Sequence, residues 1–279
     1  MKPQSAIPIF LFLALLTSQS CKMDKKAQVP SFDQAAAHAA VRAQVQFGPR
    51  VTGSEAHKKC LEWLLGEFKK NGATVTDQDF TARTFDGKEL EAHNIIASYN
   101  ISAKQRIIIA AHWDSRPFSD QELDTSLHRT PVAGADDGAS GVGVILELSR
   151  IMGGQPLHKV GVDLILFDAE DYGSNDGDME TWCLGSQYWS QNPHVAGYKA
   201  DYGVLLDMVG GANANFNKEE YSVYFAPRVI DKIWKIAHGE GLEKMFVNVN
   251  GTGLVDDHIF VNRDARIPMI DIINRPPGS

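Results

Sequence analysis

The feature that most limits how this chain can fold is a set of short apolar runs with almost no polar alternation. Val162-Asp-Leu-Ile-Leu-Phe167 and Arg106-Ile-Ile-Ile-Ala-Ala111 are two of them. Strands of this kind belong in a sheet covered on both faces, the usual setting of parallel strands. Segments with helical spacing of apolar residues stand between them, and such alternation predicts an α/β fold. The expected architecture is a three-layer α/β/α sandwich around a twisted mixed central sheet.

Strands are predicted at Thr74–Thr81, His93–Ser98, Arg106–Ala111, Gly161–Phe167, Gly203–Met208, Tyr221–Phe225 and Pro268–Ile273. Helices are predicted at Phe32–Phe47, Glu55–Asn71, Gly138–Met152, Leu184–Gln191 and Arg228–His238. Ser54 is placed to cap the second helix and Gly72 to close it. No internal repeat interrupts the pattern, and residues 32–279 read as one domain.

The first residues differ in kind. Met1-Lys2 and the apolar run Ile7–Leu16 resemble a signal peptide, since the run is about half as long as a membrane span requires. Cys21, after Thr17-Ser-Gln-Ser20, matches the lipidation site of bacterial lipoproteins. The expectation is a leader over residues 1–21, a polar tether over 22–31, and an exported protein in the periplasm or held to a membrane by a lipid on Cys21. Replacing Cys21 by Ser would then release it from membranes. Cys60 and Cys183 could pair in an oxidising compartment, but spacing alone does not bring them together. Acids outnumber bases 35 to 27 and no long basic run exists, which argues against a nucleic-acid binder.

Polar clusters fall where strands end. His112-Trp-Asp114 follows one strand, Asp168-Ala-Glu-Asp171 another, and Asp207 closes a third. Gly134-Ala-Asp-Asp137 opens the helix from Gly138, and Asp256-Asp-His258 precedes a short helix. Open α/β sheets bind ligands at the carboxyl ends of their strands. Carboxylates with histidine and no thiolate cluster suit catalytic zinc, or a harder cation such as manganese or magnesium. No Gly-x-Ser-x-Gly is present and Cys183 has no evident base, so an acyl-enzyme on serine or cysteine is disfavoured. Glu170 beside Asp171 allows one carboxylate to hold a metal while its neighbour moves protons. The glycines and alanines of Gly134–Gly141 read as room for a small substrate terminus, with Asp136 a loop acid.

The motifs His112-Trp-Asp114, Gly134-Ala-Asp-Asp137, Phe167-Asp-Ala-Glu-Asp171, Leu184-Gly-Ser186, Leu205-Leu-Asp-Met-Val-Gly210 and Asp256-Asp-His258 occur in the order of the zinc-dependent aminopeptidase-fold proteins. Within that superfamily the chain resembles the glutaminyl cyclases (glutaminyl-peptide cyclotransferases). The resemblance implies one zinc per chain, with Asp137 and Asp171 as ligands, Asp171 standing where animal cyclases have Glu. It implies that Glu170 is the general acid/base, that Asp207 and Asp256 orient it, and that Trp182 and His258 line the substrate pocket. The substrates implied are peptides and proteins with N-terminal glutamine, cyclised to pyroglutamate with release of ammonia. A two-zinc aminopeptidase, using His112, Asp137, Asp171 and Asp207, and an exported binding protein are the alternatives.

The family's third zinc ligand is a His beyond the last core strand, followed by a closing helix. No His follows His258, so that ligand is expected beyond Ser279, and the C-terminal part of the domain is expected to be missing. His112 is a second-metal or structural candidate. The corresponding expectations are weak zinc binding and an uncovered last strand.

Overall fold

The computed structural model describes residues 30–155 and 157–275. The leader, Cys21 and nearly all of the tether lie outside the described residues, as does any ligand after Ser279.

Two capped helices come first. Asp33 accepts a hydrogen bond from the Ala36 amide at the start of α1 (Gln34–Gln46), and Ser54 does the same for His57 at the start of α2 (Glu55–Lys70). Each cap satisfies an amide that has no carbonyl partner in the first turn. The strands β1 (Thr74–Arg83), β2 (Glu89–Tyr99) and β3 (Gln105–His112) follow, then α3 (Ala139–Gly154), β4 (Val160–Phe167), α4 (Leu184–Gln191) and β5 (Tyr202–Asp207). The last part holds β6 (Phe216–Lys218), α5 (Glu220–Phe225), α6 (Pro227–Gly239), β7 (Phe246–Asn250), α7 (Asp257–Phe260) and β8 (Met269–Ile273).

The main sheet runs β1-β2-β4-β3-β5-β8. β4, β3, β5 and β8 are mutually parallel, and the β1–β2 pair joins β4 antiparallel. Neighbouring residues of one strand are buried on opposite faces, as strand geometry requires. Ile95, Ala97, Leu164 and Leu166 pack with Leu64, Phe68, Val142 and Ile145 of α2 and α3, whereas Ile96, Ile165 and Phe167 pack with Trp189 of α4 and Val261. The sheet is therefore sandwiched, and the three-layer expectation holds.

Two expectations are corrected. Tyr221–Phe225 is helical, because the Glu219 carboxylate accepts from the amides of Tyr221 and Ser222 and caps α5. This local bond outweighs the β-propensity of Tyr and Val. The last strand is also covered: Ile270 and Ile272 lie against Phe216, Val229, Ile230 and Trp234, and all five residues of β8 are buried. That cover comes from β6 and α6, which precede β8 in the chain.

A candidate metal centre at the strand ends

Parallel pairing aligns the functional loops. His112 sits opposite Phe167 in the β3–β4 register, and Ala110 sits opposite Leu205 in β3–β5. The residues that follow these strands therefore emerge at one edge, where Asp137, Glu170, Asp171 and Asp207 line a cleft of about 540 Å³ together with Trp182, Leu254 and Val255.

His112 is the hub. It is 1% exposed, and its Nε2 lies 2.9 Å from Asp137 and 3.3 Å from Asp207. Its Nδ1 has no hydrogen-bond partner, with Asp114 at 3.5 Å and Glu170 at 3.8 Å. One atom each from His112, Asp137 and Asp207 falls within 4.8 Å of the others, and His112, Glu170 and Asp171 form a second such group. Asp256 makes a third group with Glu170 and Cys183.

These donors fit a zinc ion. They are carboxylate oxygens and an imidazole nitrogen, and a catalytic zinc takes three such protein ligands plus an open position. Among the described residues, His112 supplies a nitrogen donor to two such groups, one with Asp137 and Asp207 and one with Glu170 and Asp171. The acids also repel one another in a way a cation would relieve. Burial, then Asp171, pushes the Glu170 carboxyl well above the usual range; burial, then Asp137, does so for Asp171; burial raises Asp207. Burial opposes the charge of Asp137 too, but the His112 hydrogen bond prevails and holds it low. His112 is correspondingly raised, since burial is outweighed by the carboxylates of Asp114, Asp137 and Asp207 around it.

Of the supporting residues, Asp114 and Asp168 stand inside the sequence motifs without a role assigned there, and Arg50 carried no sequence signal. Asp114 accepts from the amides of Glu170 and Asp171, at 3.1 and 3.2 Å, and so fixes the backbone of the pair. Asp168, fully buried, accepts from Thr52, His57, the His93 amide and the Ala169 amide. Arg50, also fully buried, donates to the carbonyls of Trp113, Ala133 and Gly134, clamping the loop that carries Asp137. Ala169, Cys183 and Met208 hold φ values of 52°, 57° and 48° and adjoin Glu170 or Asp207. Left-handed backbone costs non-glycine residues about 1–3 kcal/mol each and collects at functional sites.

The glycines of the acid loop serve a different purpose from the one expected. A Cβ on Gly138 (φ 78°) would meet the Asp114 carbonyl at 2.8 Å and the His112 ring at 3.0 Å. Gly138 therefore brings the acid loop against His112, rather than leaving room for substrate. Asp136 accepts from the Gly210 amide at 2.7 Å and ties two loops together. His258 does not line the cleft: it is fully buried, with Nε2 3.0 Å from Glu219, the cap of α5. Cys183 does have a neighbouring acid, for its Sγ donates to Glu170 Oε1 at 3.4 Å. Burial, then Glu170, raises the thiol well above its ordinary range, which disfavours the thiolate that a nucleophile needs. Cys60 and Cys183 are both free.

The description of peptidase family M28 matches residues 94–279. The chain belongs to this family. Among solved M28-like structures, Bacteroides thetaiotaomicron glutaminyl cyclase bound to N-acetylhistamine is 49% identical, with a TM-score of 0.87 over 89% of this chain and 87% of that one. A Zn-dependent exopeptidase from Parabacteroides distasonis is 47% identical, with a TM-score of 0.88 over 90% and 87%. A glutaminyl-peptide cyclotransferase of Boiga dendrophila is 28% identical over 263 residues, covering 82% of this chain and 67% of its own. Three other curated relatives are spanned over only 39%, 32% and 46% of their length. The zinc aminopeptidase-like fold and the glutaminyl-cyclase resemblance read from the motifs are thus both found.

The charge distribution sets a pH dependence for the metal-free protein. Glu170, Asp171, Asp207, Asp256 and Asp257 (burial lifts Asp257 to about 7) keep protons longer folded than unfolded, as does His112. Stability from such groups is complete below their unfolded pKa and is lost as pH rises through the folded one. Asp137, Asp163 and Glu219, held low despite burial, lose theirs only in acid. Melting in chelator should show Tm falling by about 5–10 °C between pH 5 and 8. A flat or rising profile would contradict the proton-sharing cluster.

Proposed function

We propose that the protein cyclises N-terminal glutamine on peptides and proteins, releasing ammonia. The observation that carries this reading is Glu170 itself: a buried carboxyl just after β4, raised by burial and Asp171, with Asp256 within 4.8 Å and the cleft acids beside it. A group that accepts one proton and returns it must titrate near working pH, and burial beside other acids supplies that shift.

Asp137 and Asp171 would hold zinc, and His112 is the nitrogen donor that the described residues offer beside them. Zinc bound there would polarise the glutamine γ-carbonyl as a Lewis acid. Glu170 takes a proton from the attacking α-amine as the bond from that nitrogen to the γ-carbonyl carbon forms. It returns the proton to the amide nitrogen as the carbon–nitrogen bond breaks and ammonia departs. Asp207 and Asp256 keep Glu170 oriented and share its proton. The acids of the cleft offer hydrogen-bond acceptors to the N-terminal amine, which attacks in its neutral form. Export belongs to the same proposal, supported by the Ile7–Leu16 run and Cys21.

One observation favours a second reading. His112 Nε2 is close to both Asp137 and Asp207, the arrangement that a two-metal aminopeptidase would use. Metal analysis after dialysis against zinc separates the two: one zinc per chain supports the cyclase, and two support the peptidase.

A further inference from the structure

The loops after β3 and β4 both line the cleft, and Arg116 is one of the side chains that join them. Arg116 is 9% exposed. Its Nε and Nη2 donate to the two carboxylate oxygens of Asp120, at 2.8 and 2.5 Å, within the first loop. Its Nη1 donates across to the carbonyls of Asp171, at 2.8 Å, and Gly173, at 3.4 Å, in the second. Asn175 reinforces the junction by donating to Asp120 at 2.7 Å.

The same guanidinium stands 4.7 Å from the centre of the Trp182 ring. Two other contacts pin that indole. Its Nε1 donates to the Ser174 carbonyl at 3.2 Å, and a Cβ added to Gly173 would lie 1.9 Å from its Cδ2. With its N–H already bonded, Trp182 offers the cleft carbon surface and no donor. Leu254, Val255 and Ile273 also line this cleft. Apolar side chains on one part of the cleft thus stand beside acids suited to an amine.

We propose that Arg116 is a positioning residue that fixes Trp182 as the apolar wall against which the residue following the N-terminal glutamine packs. The identity of the substrate rests on the cyclase reading; the Arg116–Trp182 arrangement does not. Only a planar, forked cation can bind Asp120 through both oxygens, reach a carbonyl on the other loop and lie against an indole, so lysine is a poor substitute.

Kinetics on the zinc-loaded full chain test this with two Gln-initiated peptides, one with leucine and one with glycine second. Arg116→Lys should raise KM for the leucine peptide about tenfold, with kcat within about twofold and the glycine peptide little changed. Gly173→Ala, which displaces the indole from its other contact, should give the same signature and serves if Arg116→Lys fails to fold. Trp182→Ala should abolish the preference for leucine, and adding Arg116→Lys to it should cost nothing more. Equal KM rises for both peptides, a loss confined to kcat, or additive effects in the double variant would overturn the proposal. If the unaltered protein does not cyclise either peptide, the cyclase reading fails separately. Trp182 emission, taken as the difference from Trp182→Phe, then decides: a red shift in Arg116→Lys supports the clamp, and an unchanged spectrum refutes it.

Discussion

Glu170→Gln is expected to lower kcat/KM on Gln-initiated peptides by about 10³-fold, within the range that general acid–base catalysis contributes. The loss should fall on kcat, because Gln preserves the size of the side chain and leaves the metal donors in place. Zinc binding should survive, and so should the fold, because the exchange keeps the shape of a side chain whose charge burial and Asp171 already disfavour. Steady-state kinetics beside a zinc titration separate these outcomes. A variant that lost zinc as well as activity would make Glu170 a ligand rather than a proton carrier.

Asp137→Ala should have the second largest effect, on metal rather than on chemistry. Asp137 is the acid nearest His112 Nε2, at 2.9 Å, and the His112 hydrogen bond holds its carboxyl low where burial raises Asp171 and Asp207. Its removal should weaken zinc at least about 100-fold, since metal affinity is lost steeply with each ligand. Calorimetric titration measures this directly. The melting temperature provides a second readout: zinc at about 100 times Kd should raise Tm by about 5–10 °C in the unaltered protein and leave the variant unmoved. Tight binding retained by Asp137→Ala would remove it from the metal centre.

The site was legible from the sequence to the extent that it depends on strand ends. His112, the Glu170–Asp171 pair and Asp207 follow β3, β4 and β5, which are neighbours in the sheet, so parallel register alone brings them together. The apolar runs revealed the layers for the same reason, since a strand buried on both faces leaves no polar positions. What escaped depends on bonds between distant residues. Arg116 reaches Asp171 across 55 positions, and His258 meets Glu219 across 39. Neither contact has a periodic signature. Tyr221–Phe225 was misread because its helix depends on the carboxylate of one preceding residue, a signal that propensity over five residues cannot outvote. The glycines of Gly134–Gly141 were read as room for substrate, because the closeness of Gly138 to His112 exists only in three dimensions.

Incubating the zinc-loaded protein with a Gln-initiated peptide and weighing the product tests the central claim most directly. Cyclisation removes one ammonia and leaves every residue in place, so the expected product is the intact peptide lighter by ammonia alone, formed faster than in a chelator-treated control. Release of free glutamine and a peptide one residue shorter would contradict the account and make the protein an aminopeptidase.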